Sequence, residues 1–466
     1  MNINRPKIGL LSLFFDLYLT SGEKLLNSCR AFASEVVGSF EQNAEVVFPR
    51  VCLNREDVDS AVAQFEAVDV DIIVVIYLTY VPSMYSLPAL LKTNIPILLF
   101  CTQKLPAVTE VITPWDLEEN HGVHGLQDLA SVLRRAGKEY SFLAGYWNEP
   151  ATRKELDGWL QAAHIRKILS KSQIGLIGHP MESMGDFGVD ETSFEAQLGV
   201  HIRHLSMKEI ATTAQDAPEY EIQTQIGFDK EHYQVQEMVT PAHHDAASRL
   251  EWALRATMKK ENLLGFASHF LSIGEEGWLE TLPFLAASKL LAEGYSFGGE
   301  GDVTSAAAVS IMHLLAGEAN FTEIFTVDFM GDSFLMSHMG EGNWRMARDD
   351  YPIQMRSESF DMTSLRVAPV SLVFTLRPGL ATLLNITTGP QGRMQWIVSE
   401  GQVIDAPPLP NLTQVHHKFK SHLPVNEFIT QYSMLGGSHH QALAFGSWKS
   451  ELAKLARILG IQYYEI

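Results

Sequence analysis

The sequence predicts an α/β protein that ends in a β-rich, barrel-like domain, and three observations predict it. Apolar strand-like runs alternate with helix-like runs over the first 170 or so residues. A helix-dominated stretch follows to about residue 320. Beyond it come short β-branched runs split by Gly and Pro. Alternation of the first kind builds βαβ units on a parallel sheet, and clustered short strands build a barrel or sandwich.

Taken in order, "KIGLLSLFF" reads as a buried strand and "GEKLLNSCRAFASEVVGSF" as a helix. "AEVVFPRV" is a strand, and "REDVDSAVAQFEAV" a helix capped near Asn54. "VDIIVVIYL" and "IPILLFC" are strands flanking the helix "PSMYSLPALLKT". "EYSFLAGYW" and "SQIGLIGHP" add two more, separated by a long helix. The resulting expectation is a Rossmann- or flavodoxin-like parallel sheet in the N-terminal domain (1–171) and again in the middle domain (172–320). The middle domain contributes the helical runs "DAASRLEWALRATMKKENL", "LPFLAASKLLAEG" and "SAAAVSIMHLLAG". The β-rich C-terminal domain (321–466) contributes "FTEIFTVDF", "RVAPVSLVFTL", "LATLLNITT" and "RMQWIVSEGQVI" as strands, then a closing helix and strand.

The chain has 466 residues and a formal charge of -20, without a basic run, which argues against a nucleic-acid or anionic-membrane partner. Its three cysteines lack metal or redox spacing, which suits buried thiols in a cytoplasmic protein. The N-terminal apolar run is broken by Asp16 and reads as a first strand, not as a signal peptide. No apolar run reaches the length of a membrane span. The dinucleotide and P-loop fingerprints are absent, so the sheet gives no reason to expect NAD or ATP.

Two stretches carry chemistry. "FGGEGDVTSAA" sets Glu300 among glycines just before a helix, where the dipole favours a carboxylate and Asp302 can cap. "LGGSHHQALAFG" has the composition of a loop that carries an imidazole into a pocket. Of the other His-His pairs, "TPAHHDAAS" reads as a helix start and "VHHKFK" as an exposed basic strand. Asp328, Asp332, His338 and Glu341 crowd one apolar segment, where a carboxylate needs a counter-charge, a metal or a proton. Carboxylates and imidazoles converging from such segments suit a divalent ion such as Mn²⁺ or Mg²⁺ better than a structural zinc.

At these residues the chain resembles the L-arabinose isomerase family, within the group that includes L-fucose isomerase. The family's G-x-G-F-x-x-E-G-D-W-K-T-A-A followed by R-I-M is matched by "GYSFGGEGDVTSAAAVSIM". Its A-G-G-A-H-H-T is matched by "LGGSHHQ", and its G-S-H-M-L-E by "MSHMGE". The resemblance implies metal ligation by Glu300, His338 and His440, with Mn²⁺ or another divalent cation such as Mg²⁺ or Co²⁺. The family's second acid lies in F-M-E-D-Y. Read against "FTVDF", that motif has Val327 at the glutamate, and the role passes to Asp328, one position along. Glu300 and Asp328 then serve as ligands and as the acid/base pair.

The segment "PWDLEENHGVHGLQDLASVLRRAGKEYSFLAGYW" aligns His124 with a substrate-side histidine that reaches a neighbouring subunit. "FFDLY" does the same for Leu17 and Tyr18, and "GHPMESM" for Met181. The family's Trp-Lys pair is Val303-Thr304, and a glutamine near the first strand is Phe15. The implied activity is aldose–ketose isomerisation of a free monosaccharide, of the L-arabinose to L-ribulose type, in a homotrimer or homohexamer. A non-catalytic sugar-binding protein and an isomerase or epimerase of a different sugar are the alternatives.

Overall fold

The computed structural model describes residues 5–21 and 23–466. The first four residues of the N-terminal run, and Gly22 at the start of the expected first helix, lie outside the described residues. The chain forms two compact units, one ending at Lys167 and the other running from Ile168 to Ile466.

In the N-terminal unit, apolar strands line up in parallel in the order Glu45–Val47, Lys7–Leu13, Ile72–Tyr77, Ile97–Cys101, Ser141–Ala144. The run Ile72–Tyr77 is buried along its whole length, as a central strand covered on both faces must be. Helix Arg55–Ala67 starts where Asn54 accepts the backbone N–H of Asp57, the cap expected there. Phe65 from that helix packs with Leu11, Ile73 and Leu99.

The second unit opens with another parallel sheet, ordered Ser296–Gly298, Leu263–Ser268, Gln173–Ile177, His201–Leu205. Its C-terminal part is a mixed sheet closed into a ring. Strands Gly379–Thr388, His440–Phe445, Asn320–Asp328, Ser333–Ser337, His416–Ser421 and Met394–Val403 pair in sequence, and the last pairs back to the first. Closure removes the sheet edges. Phe334, Met336, Phe419, Leu383 and Leu443 from the ring join one buried core. Gln462–Glu465 adds in parallel to Met394–Val403.

The α/β class, the parallel sheets and the β-rich end match the expectation from sequence. One local reading fails and two hold only in part. The run 366–376 yields the strand Val370–Val373, which pairs with Gln354–Ser357 in a separate small sheet. The "VHHKFK" strand is not exposed at its histidines, since His416 and His417 are both 2% accessible. The loop expected at "SHHQALAF" is short, because the strand His440–Phe445 begins at His440 itself.

Between the helices of the second unit lies a buried ionic cluster. Lys289, 5% accessible, sits 2.7 Å from both Asp229 and Glu251. His244 donates from Nε2 to the Asp229 carboxylate at 2.9 Å, and Arg255 reaches Glu251 at 2.9 Å. Removing the lysine would leave two buried carboxylates without their shared cation. Lys289→Met is therefore expected to lower unfolding stability by about 3–5 kcal/mol, read by urea denaturation followed by circular dichroism.

Candidate metal centre

The carboxyl ends of parallel strands are where open α/β sheets place ligands. In the second unit His179 follows strand Gln173–Ile177, His269 follows Leu263–Ser268, and Glu300 follows Ser296–Gly298. Glu300 is reached through a backbone that only a special sequence tolerates. Its φ is 56° and that of Gly301 is 80°, so two successive residues are left-handed. A glutamate in that region costs about 1–3 kcal/mol, and the surroundings must hold it there. A Cβ on Gly299 would stand 2.6 Å from the His338 ring, and one on Gly301 would stand 2.7 Å from the His179 carbonyl oxygen. The glycines thus let the turn close against both neighbours. The Met181 N–H donates to the Glu300 carbonyl at 2.9 Å, which ties the 178–190 loop to the turn.

Asp302 begins helix Val303–Ala316. Its carboxylate accepts the backbone N–H groups of Thr304 at 2.8 Å and Ser305 at 2.9 Å, together with both hydroxyls. Its other bond is to His440: Nδ1 lies 3.0 Å from the Asp302 carboxylate. That fixes the ring and turns Nε2 toward Glu300, whose Oε2 is 3.8 Å away. His440 Nε2 is buried and has no hydrogen-bond partner. Phe187 stacks on the ring at 5.6 Å and Phe321 lies at 4.9 Å, so the imidazole cannot swing to find one.

His338 is arranged in the same way. Its Nδ1 meets the Glu341 carboxylate at 3.0 Å, and Glu341 also accepts the Gly340 N–H at 2.6 Å. Donor atoms of Glu300, His338 and His440 all lie within 4.8 Å of one another. Glu323, His439 and His440 form a second such group. An imidazole held by a carboxylate on one nitrogen, with the other nitrogen offered to a shared point, is the usual form of a metal-binding histidine. A buried nitrogen without a partner beside a carboxylate is the observation that fits a cation here. The residues present therefore suit a divalent ion with O and N donors.

His439 bridges two acids. Its Nδ1 lies 2.6 Å and its backbone N 3.0 Å from Asp186, and its Nε2 lies 3.3 Å from Glu300. Burial works to lower the His439 pKa, but the two carboxylates overcome it and raise it to about 10. The same hydrogen bond carries Asp186 down to about 2. Burial pushes Glu300 upward, and His439, His440 and His338 outweigh it, so the carboxyl is held below the ordinary glutamate range. Burial disfavours charge on His338, and Glu341 reverses the balance upward.

The structure thus brings Glu300, His338 and His440 together, and sets Met181 beside them through the Glu300 carbonyl. Asp328 is a correction. It ends its strand in a turn, with its carboxylate on the Gly331 N–H at 2.8 Å and on Lys418 at 3.2 Å. It already has its counter-charge, and it belongs to neither donor group. Glu323, paired across the ladder with His440, is the acid of the second donor group. The sequence did hold the signal. F-M-E-D-Y matches Phe321-Thr322-Glu323-Ile324-Phe325, four residues before the "FTVDF" that drew the reading to Asp328. Asp186 and the bond from Asp302 to His440 were not legible from spacing.

Leu17, Tyr18 and His124 belong to the N-terminal unit. Leu17 is exposed on the 3-10 helix Asp16–Ser21. The Tyr18 hydroxyl meets His121 Nε2 at 2.9 Å, and His124 stacks on Tyr80 at 4.9 Å and lies 5.5 Å from the His121 ring.

Comparison with known proteins gives a consistent match. Three family models cover the chain: the L-arabinose isomerase N-terminal domain over residues 16–170, the central domain over 174–318 and the C-terminal domain over 318–462. An L-arabinose isomerase 1 of Bacillus licheniformis is 26% identical over 82% of this chain and 78% of its own length. An L-arabinose isomerase of Nocardioides sp. is 24% identical over 95% and 90%. One of Serratia proteamaculans is 22% identical over 90% and 86%.

The hydrogen bond from Asp302 to His440 yields a test. Asp302→Asn keeps a capping side chain but weakens the hold on the ring. It is expected to lower Mn²⁺ affinity by about 10–100-fold in calorimetric titration, while Asp328→Asn leaves it unchanged.

Proposed function

Because the chain belongs to the L-arabinose isomerase family, and is thereby a sugar isomerase, we propose that it interconverts an aldose and its ketose at the Glu300–His440 centre. L-arabinose and L-ribulose are the first pair to examine, after the names of the relatives. The observation that carries the reading is the convergence of Glu300, His338 and His440, with His440 Nε2 buried and unpartnered.

In this reading Glu300, Glu323, His338 and His440 hold a divalent cation, Mn²⁺ or a relative such as Mg²⁺ or Co²⁺. When bound, the ion supplies a Lewis acid for the sugar's carbonyl and neighbouring hydroxyl oxygens. The remaining work falls to side chains. Glu300, ionised and fixed on its left-handed turn, takes the proton from the carbon beside the carbonyl. The sugar passes through an ene-diol, and the proton returns to the adjacent carbon. Glu323, on the facing strand, exchanges the proton of the sugar oxygens. A positioned acid/base group of this kind contributes roughly 10²–10⁴ in rate. His439, charged between Asp186 and Glu300, holds the Glu300 carboxylate in place.

The resemblance adds substrate-side roles for Leu17, Tyr18, His124 and Met181, with His124 acting in a neighbouring subunit of a homotrimer or homohexamer. The scattered, unpaired cysteines support a cytoplasmic setting. No described helix is long and apolar enough to cross a membrane. A valine, Val327, where the family motif has an acid is the one sequence feature that favours a non-catalytic relative. That alternative loses its ground once Glu323 stands beside His440.

Ketose formation from L-arabinose is expected to cease on dialysis against EDTA and to return with Mn²⁺. Glu300→Gln and Glu323→Gln are each expected to lower the rate by roughly 10²-fold or more, with an unchanged circular dichroism spectrum. Activity indifferent to chelator, or full activity in either variant, would contradict the assignment.

A further inference from the structure

At one mouth of the ring, strand Asn320–Asp328 runs on past the point where its neighbour His440–Phe445 begins, since the last pair of that ladder is Glu323 with His440. Beside the overhang lies a groove of about 520 Å³, lined by Ile324 and Thr326 of the strand and by Ile429 and Tyr432 of helix Val425–Met434. His439 lines it too, and its Nε2 lies 3.3 Å from Glu300, so the groove adjoins the candidate centre. Mouths of β-barrels are a recurrent seat of small-molecule sites, and the volume falls in their usual range.

Gln441 belongs to the same lining. It follows His440 on the strand and therefore faces away from the candidate cation ligands. The residue is 1% accessible, yet among the described residues neither its amide oxygen nor its amide nitrogen has a hydrogen-bond partner. The Tyr432 hydroxyl feels the amide, but it donates its proton to the Ser438 carbonyl. A buried amide left in this state costs the fold stability that an apolar side chain of the same length would not. It also offers a donor and an acceptor side by side, the complement of neighbouring sugar hydroxyls.

We propose that Gln441 is a specificity-determining residue, whose amide takes a hydroxyl of the aldose beyond the two carbons that react. The proposal rests on the isomerase reading and deepens it by naming the substrate class: aldoses that keep their distal hydroxyls, in preference to their deoxy counterparts. A site that hydrogen-bonds a hydroxyl discriminates against the analogue without it, because the buried group of the site then goes unpaired.

The test uses the full chain loaded with Mn²⁺, with L-arabinose, 4-deoxy-L-arabinose and 5-deoxy-L-arabinose as sugars. Affinity is measured by calorimetry, and ketose formation separately by NMR. The unaltered protein is expected to bind at least one deoxy sugar about 10- to 100-fold more weakly than L-arabinose. Gln441→Met is expected to weaken L-arabinose binding by the same factor and to erase that preference, with Mn²⁺ affinity unchanged. Without sugar, the variant is expected to unfold at a higher urea concentration, since it no longer buries an unpaired amide. Equal affinity for all three sugars in the unaltered protein, or a lower unfolding midpoint in the variant, overturns the proposal and leaves the isomerase reading intact. Failure of L-arabinose to bind overturns it as well. The expected preference with no ketose formed upholds the role of Gln441 and overturns the isomerase reading.

Discussion

The second unit's chemistry depends on one backbone constraint, the left-handed pair at Glu300 and Gly301. Ordinary backbone there would carry the glutamate along the line of strand Ser296–Gly298 or into helix Val303–Ala316. Either path would take its carboxylate away from the histidines. The strained turn is held by neighbours on three sides: the Met181 N–H on its carbonyl, His338 against Gly299, and Asp302 capping the helix that follows. Asp302 couples the two halves of the site, since the carboxylate that starts the helix also orients His440. Local structure and functional geometry are therefore set by the same few bonds.

The ring-shaped sheet completes the arrangement from the other side. Asn320–Asp328 lies between His440–Phe445 and Ser333–Ser337, so Glu323, His440 and the residue before His338 stand in adjacent strands. A ladder fixes such neighbours to within a fraction of a side chain, which loops alone do not. The parallel sheet contributes the acid on a turn, and the barrel contributes the imidazoles and a second acid on strands. Phe187 and Phe321 pack around the His440 ring and keep its unpartnered nitrogen aimed inward.

Most of the architecture was readable because it rests on periodicity. Ile72–Tyr77 and Ile97–Cys101 are apolar runs with clear boundaries, and Asn54 advertises its cap. The glycine-set glutamate and the His-His pair at 439–440 were readable because their composition has few other uses. Asp328 misled because it offers an acid in apolar company, and only the fold shows that Lys418 neutralises it from another strand. Glu323 was passed over for the opposite reason, since a single acid inside the strand-like run Phe321–Phe325 reads as an ordinary solvent-facing residue. The burial of His416 and His417 was hidden by the lysines that follow them: His417 shares the buried face with Phe419 and Ser421, while His416 lies on the lysine face and is covered by the loop whose Leu409 N–H donates to its Nε2 at 2.8 Å. The bond from Asp302 to His440 joins residues 138 apart in the chain and leaves no trace in local spacing.

The central claim is that one divalent cation is held jointly by Glu300, Glu323, His338 and His440. Anomalous diffraction from a crystal grown with Mn²⁺ tests it most directly. The account predicts a single strong peak about 2.0–2.2 Å from a carboxylate oxygen of each glutamate and from Nε2 of each histidine. A peak coordinated elsewhere, or none at saturating Mn²⁺, would contradict it.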